Sequence, residues 1–95
     1  MDALQTEFLV FLPDLPQRGE IGYLEAYPGS GDENSVRMHY AAQYALTPRV
    51  IVGRTGPEFL IVPRGSEQPG GDPRLEHYRR VNSYPNGHRL FRRFP

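Results

Sequence analysis

A chain of 95 residues with no cysteine, zero formal net charge and 38% hydrophobic residues has room for one modest core and none for two. The absence of cysteine excludes disulfide staples and thiol chemistry and argues against a structural zinc site. No run approaches the ~20 apolar residues of a membrane helix, and Asp2 and Glu7 flank the short Leu9-Val10-Phe11-Leu12 run, which is not the basic-then-apolar build of a secretory signal.

The neutral total hides an uneven distribution. Residues 1–36 carry seven acids, Asp2, Glu7, Asp14, Glu20, Glu25, Asp32 and Glu33, against Arg18 alone. Residues 74–95 carry six arginines, Arg74, Arg79, Arg80, Arg89, Arg92 and Arg93, against Glu76, so the two ends are electrically complementary. Every basic residue is arginine, which favours bidentate, partly buried ion pairs.

In chain order, residues 3–12 fit a short helix or a strand, with the helix preferred, and Pro13 with Pro16 stops either. After Arg18-Gly19, Ile21 and Tyr23 alternate with Gly22 and Leu24 as a first strand, in which Gly22 signals a close approach by neighbouring backbone. Residues 27–34 have loop composition. Ser30-Gly31-Asp32-Glu33 is a candidate capping box for a helix from about Gly31 to Leu46, whose small-residue stripe is Met38, Ala41, Ala42 and Ala45 and whose second stripe is Val36, Tyr40, Gln43 and Tyr44. The continuous Val50-Ile51-Val52 run after Pro48 fits a strand covered on both faces, and strand, helix and strand make a βαβ unit. Residues 58–63 read as a third strand. Only five residues separate it from the second, so an antiparallel return is the simpler pairing. Residues 64–73 are a flexible loop. Residues 78–84 and 89–94 flank Asn86-Gly87, the signature of a hairpin with a tight turn. The expected fold is a small single α/β domain spanning 1–95, a βαβ unit extended by a third strand and a C-terminal hairpin into a mixed open sheet.

The candidate chemistry is sparse. The loop Gly29-Ser30-Gly31-Asp32-Glu33-Asn34 stands where nucleotide-binding folds place a phosphate loop. Asn34 occupies the position of a required small residue, Asp32 and Glu33 repel a pyrophosphate, and the chain has no lysine, so helix capping accounts for the loop. His39, His77 and His88 are scattered without metal-ligand spacing and read as surface or hydrogen-bonded histidines; no metal or cofactor is expected. Gly29-Ser30-Gly31 lacks the spacing of a nucleophile elbow. Six tyrosines point to a recognition surface, with half-buried core tyrosine as the commoner explanation. Arg89 and Arg93 share one strand face with Phe91 while Arg92 shares the other with Leu90 and Phe94, and a nucleic-acid binder concentrates its charge on one face, so no nucleic-acid partner is expected.

Leu15-Pro16, Gly19-Glu20-Ile21-Gly22-Tyr23, the block Tyr40, Gln43, Tyr44, Ala45, Leu46, Pro48, Arg49, Val50, then Pro57-Glu58-Phe59-Leu60-Ile61-Val62 and Asn86-Gly87-His88-Arg89-Leu90-Phe91-Arg92-Arg93 resemble, over about residues 13–94, a family of short uncharacterised bacterial α/β modules. Its members are similar to extracytoplasmic segments of membrane-anchored, glycosyltransferase-like proteins. The resemblance implies a small extramembrane domain with no catalytic residue to carry over, and with Tyr40, Gln43, Tyr44, Pro48 and Arg49 as its signature. In plain structural terms Pro48 ends the helix, Arg49 opens the strand, and Tyr40 and Tyr44 pack. If the protein is exported, its anchor or address lies outside this sequence.

Two functions follow as expectations. The first is a non-catalytic accessory or interaction module that binds a protein partner or an envelope component. The second is a domain binding a sugar or nucleotide-like ligand at the carboxyl ends of the first two strands, where open α/β sheets place ligands, with Glu25, Tyr27, Ser30, Asp32, Asn34 and Arg54 as contacts.

Overall fold

The computed structural model describes residues 2–26, 34–68 and 70–94. The Asp2 carboxylate accepts from the Gln5 backbone N–H at 2.8 Å and the Gln5 amide oxygen from the Asp2 N–H at 3.0 Å. This capping box starts α1 (Ala3–Glu7). The chain then tightens into a 3-10 helix, Phe8–Asp14, in which residues three apart eclipse, so Phe8 and Phe11 enter the core side by side and both are fully buried. The single helix expected here, stopped by Pro13, is therefore two short helices. Pro13 lies inside the second, where its fixed φ suits the 3-10 geometry.

Strands β1 (Glu20–Tyr23), β2 (Val50–Val52), β3 (Phe59–Val62), β4 (Tyr78–Ser83) and β5 (Arg89–Arg93), with α2 (Asn34–Leu46) between the first two, build one mixed sheet in the order β2-β1-β3-β5-β4. The α/β architecture is the expected one, and two particulars differ. β3 does not return beside β2. It lies on the far side of β1, parallel to it. A parallel connection normally takes a dozen or more residues, but here the strands are staggered: Gly22 of β1 is level with both Val52, the last residue of β2, and Leu60 of β3. The link over residues 53–58 has only to step sideways across β1. It does so above Gly22, where a Cβ would lie 2.8 Å from the Arg54 carbonyl oxygen. Secondly, β2 is an edge strand rather than one covered on both faces: Ile51 is buried and Val50 is exposed.

Alternation along β1 divides the interior. Ile21 and Tyr23 face α2 and the N-terminal helices, sharing a core with Phe8, Phe11, Met38, Ala41, Ala42 and Leu90. The opposite face carries a smaller cluster of Leu24, Leu60, Val62, Tyr78 and Phe91. It is closed by the 53–58 link, to which the Tyr78 hydroxyl is bonded at Gly56 N (2.8 Å) and Pro57 O (2.7 Å). The small-residue stripe of α2 lies where its spacing puts it, with Ala45 half-buried at its end. The loop over 64–73, expected to be flexible, is fastened at its described residues: Asp72 accepts from Gln68 N at 3.0 Å and holds Arg74 in a two-pronged pair, and Arg74 donates to the Glu25 carbonyl at 2.8 Å.

The hairpin of β4 and β5 closes through Tyr84 N to His88 O and Gly87 N to Tyr84 O, each 3.0 Å. Only Gly87 has a positive φ, +90°, so the Asn86-Gly87 pair does not supply two left-handed residues. The loop has three residues, with the glycine after an ordinary turn, and Asn86 instead accepts from His88 N and donates to the Glu7 carbonyl. Leu90 and Phe91 enter the two cores, whereas Phe94 is exposed. His88 is completely buried, stacked on Phe8 with ring centroids 4.7 Å apart. Its Nδ1 accepts from the Arg64 backbone N–H at 3.1 Å, so Nε2 carries the proton and donates to Glu7 at 2.9 Å. Arg64 completes the group with an ion pair to Glu7. At the other end of the same seam, Tyr84 Oη and Asn82 Nδ2 both donate to Asp14, at 2.7 and 3.1 Å.

Candidate functional site

The carboxyl ends of β1 and β2 hold a group of polar side chains that the sequence places apart and the fold brings together at a cleft. Glu25 follows β1. His39 and Gln43 stand one turn apart on α2 and reach across to β2. His39 Nδ1 lies 2.6 Å from Glu25 Oε1, its Nε2 lies 3.0 Å from the Ile51 carbonyl, and its ring stacks on Tyr23 at 4.8 Å. Both ring nitrogens thus face acceptors that belong to the fold itself.

Gln43 makes the complementary contacts. Its amide nitrogen donates to the Arg49 carbonyl and its amide oxygen accepts from Ile51 N, both at 2.8 Å. Together the two side chains satisfy the outward main-chain groups of β2 as a neighbouring strand would, and so close an edge that otherwise invites pairing. Glu25, Val36, His39, Tyr40, Gln43 and Ile51 bound a cleft of about 330 Å³, at the small end of ligand pockets.

Of the expected ligand contacts, Glu25 is at this cleft. Tyr27, Ser30 and Asp32 lie outside the described residues, and Asn34 opens α2. Arg54 is not there: the link carries it over the sheet toward the amino end of β1, where it pairs with Glu20 at 3.2 Å. Of the signature residues, Pro48 lies in the turn after α2, behind a cis Thr47–Pro48 peptide. Arg49 is 7% exposed, donating to the Pro16 carbonyl at 2.5 Å and to the last helical carbonyl, Leu46, at 3.3 Å, a cation at the negative end of the helix dipole.

Tyr40 and Tyr44 do not pack as expected. They are 73% and 62% exposed and form a row with Val36, 58% exposed, at successive turns of α2. Tyr40 and Tyr44 border an open groove of about 570 Å³ against α1, whose other walls include Leu4, Gln5 and Arg37, while Val36 borders the smaller cleft beside it. The roles of His39 and Gln43 went unseen in the sequence because their partners are mostly main-chain atoms; the available signal was a pair of polar side chains four residues apart on a helix leading into an edge strand.

Among the described residues no three His, Asp or Glu side chains converge as metal ligands, and no helix is long and apolar enough to cross a membrane. The fold and site define a small α/β domain whose polar cleft is engaged in holding its own sheet edge. Comparison with family models, with curated proteins and with solved structures finds no match to the chain.

Proposed function

We propose that the protein is a non-catalytic interaction module that docks through the tyrosine face of α2, and that its partner is a protein or another component of the bacterial cell envelope. The observation that carries this reading is the exposed row Val36, Tyr40 and Tyr44, whose two tyrosines border an open groove. Tyrosine presents a broad apolar body with a hydrogen-bonding tip at low conformational cost, which is why it is enriched in binding surfaces. The engagement of His39 and Gln43 in internal bonds supports it from the other side. The envelope placement rests on the resemblance of the signature residues to extracytoplasmic modules. A photoreactive residue at position 44 is expected to cross-link one envelope partner, with none captured from position 18, and the doubly substituted Tyr40→Ala, Tyr44→Ala protein is expected to lose that partner while melting normally. An unchanged partner set in the double variant refutes the reading.

One observation favours a second reading: the carboxylate of Glu25 lines a cleft at the strand carboxyl ends. A sugar or nucleotide-like ligand there raises the melting temperature of the native protein and not of Glu25→Gln.

A further inference from the structure

The two edges of the sheet are finished differently. At β2, Gln43 and His39 occupy the outward main-chain groups. At β4, the strand at the other edge, no element among the described residues lies along the outer side, and Arg79, Arg80, Val81, Asn82 and Ser83 are all exposed. Among the described residues the side chains of Arg79 and Arg80 make no hydrogen bond and no ion pair. As neighbours in an extended strand they project to opposite faces, Arg79 across from Arg92 and Arg80 across from Phe91. Arg92 is neutralised by Glu58 at 2.6 Å, while the Arg93 guanidinium donates to the Gly56 carbonyl. Arg79, Arg92, Arg93, Glu58 and Phe94 bound a groove of about 450 Å³. Among the described residues Arg79, Arg80 and Arg93 are thus three cations without a carboxylate, the first two on the open edge and the third on the strand beside it.

We propose that the outer edge of β4 takes an extended acidic peptide segment of a partner protein, added as a sixth strand. Main-chain bonds to β4 set its register, and Arg79 and Arg80 select carboxylates on its two faces. Charge and the irregular register at Val81 are the devices by which edges discourage chance pairing. Here they deter neutral and basic strands and leave an acidic one favoured. A second copy of this chain is disfavoured, because self-pairing about a two-fold axis brings four unneutralised guanidiniums together. The surface is separate from the tyrosine face of α2 and independent of it.

The test is fluorescence anisotropy at physiological salt with a labelled peptide of repeated Val-Glu-Glu units, the same peptide N-methylated at alternate amides, and its Val-Lys-Lys counterpart. Expected are binding of the first peptide alone, amide shifts confined to residues 78–83, affinity weakened by about tenfold or more in Arg79→Glu, Arg80→Glu, and no change in Tyr40→Ala, Tyr44→Ala. If the charge-reversed protein melts early, Arg79→Gln, Arg80→Gln serves in its place. Any one of four results overturns the proposal: equal binding of the N-methylated peptide, equal binding by the charge variants, dimerisation of the protein through β4, or tighter binding of an oligonucleotide at the same salt.

Discussion

Gly22 shows how one residue type can announce a geometry without naming its cause. A glycine inside the first strand signals an approaching backbone, and the approach is that of the link to β3. A side chain there meets the Arg54 carbonyl at 2.8 Å and the tip of Leu60 at 2.9 Å. Leucine can turn aside; the carbonyl cannot without moving the link. Gly22→Ala is therefore expected to cost about 1–3 kcal/mol of stability, measured as a lowered urea midpoint with an unchanged slope. His88 carries a second expectation, in pH. Burial pushes its imidazole below the usual range against the opposing pull of Glu7, so the unfolded chain takes up the proton first. The contribution is whole above the unfolded value of about 6.5 and is lost as pH falls from there toward the folded value. Glu7, held below the ordinary carboxylate range chiefly by its hydrogen bond from Arg64, adds a further loss at lower pH. Between about pH 7 and about pH 5.5 the urea midpoint of the native protein should fall. That of His88→Gln should start lower and fall less, since His39 and His77 are common to both proteins.

At the scale of elements, α2 combines three stripes. Spacing identified the one that meets the sheet, since Met38, Ala41 and Ala42 are apolar or small and periodic. Composition also picked out the tyrosine stripe, although not whether it packs, because an aromatic row suits a core and a docking face equally. The stripe of His39 and Gln43 shows only two polar side chains four residues apart, since main-chain partners have no sequence signature. Removing it should have a local consequence: Gln43→Met leaves Ile51 N–H and the Arg49 carbonyl unbonded, at a cost of about 1–3 kcal/mol. Amide exchange should speed up at Ile51, while Val50, bonded to Gly19 O at 2.9 Å, should keep its protection relative to global unfolding. The pairing of β3 was misjudged for a related reason. The rule relating loop length to strand direction assumes strands that begin and end level, and the stagger of β2, β1 and β3 is a tertiary fact.

For the molecule as a whole, the expected attraction between an acidic beginning and a basic end takes another form. Arg74, Arg89 and Arg92 pair with Asp72, Glu67 and Glu58, acids from the middle of the chain. The N-terminal acids Glu7 and Asp14 do reach the hairpin, but they hold His88, Asn82 and Tyr84 there. Deleting residues 86–95 removes β5, the partner of both β3 and β4, together with the buried histidine. Such a protein should show no cooperative thermal transition in calorimetry. The candidate cleft was half readable: Glu25 was placed by topology, whereas Arg54 left it because the link crosses the sheet in a direction the sequence does not encode.

That β5 lies inside the sheet while coming last in sequence has a consequence for biosynthesis. Until β5 is available, β3 and β4 have no common neighbour, so the sheet cannot close strand by strand as the chain grows. During that interval Phe8 and Phe11 lack the imidazole that covers them, and the arginine-bearing strand has no neighbour on either side. The charges on Arg79 and Arg80 then guard a nascent chain against pairing with its own kind, before they have any partner to recognise.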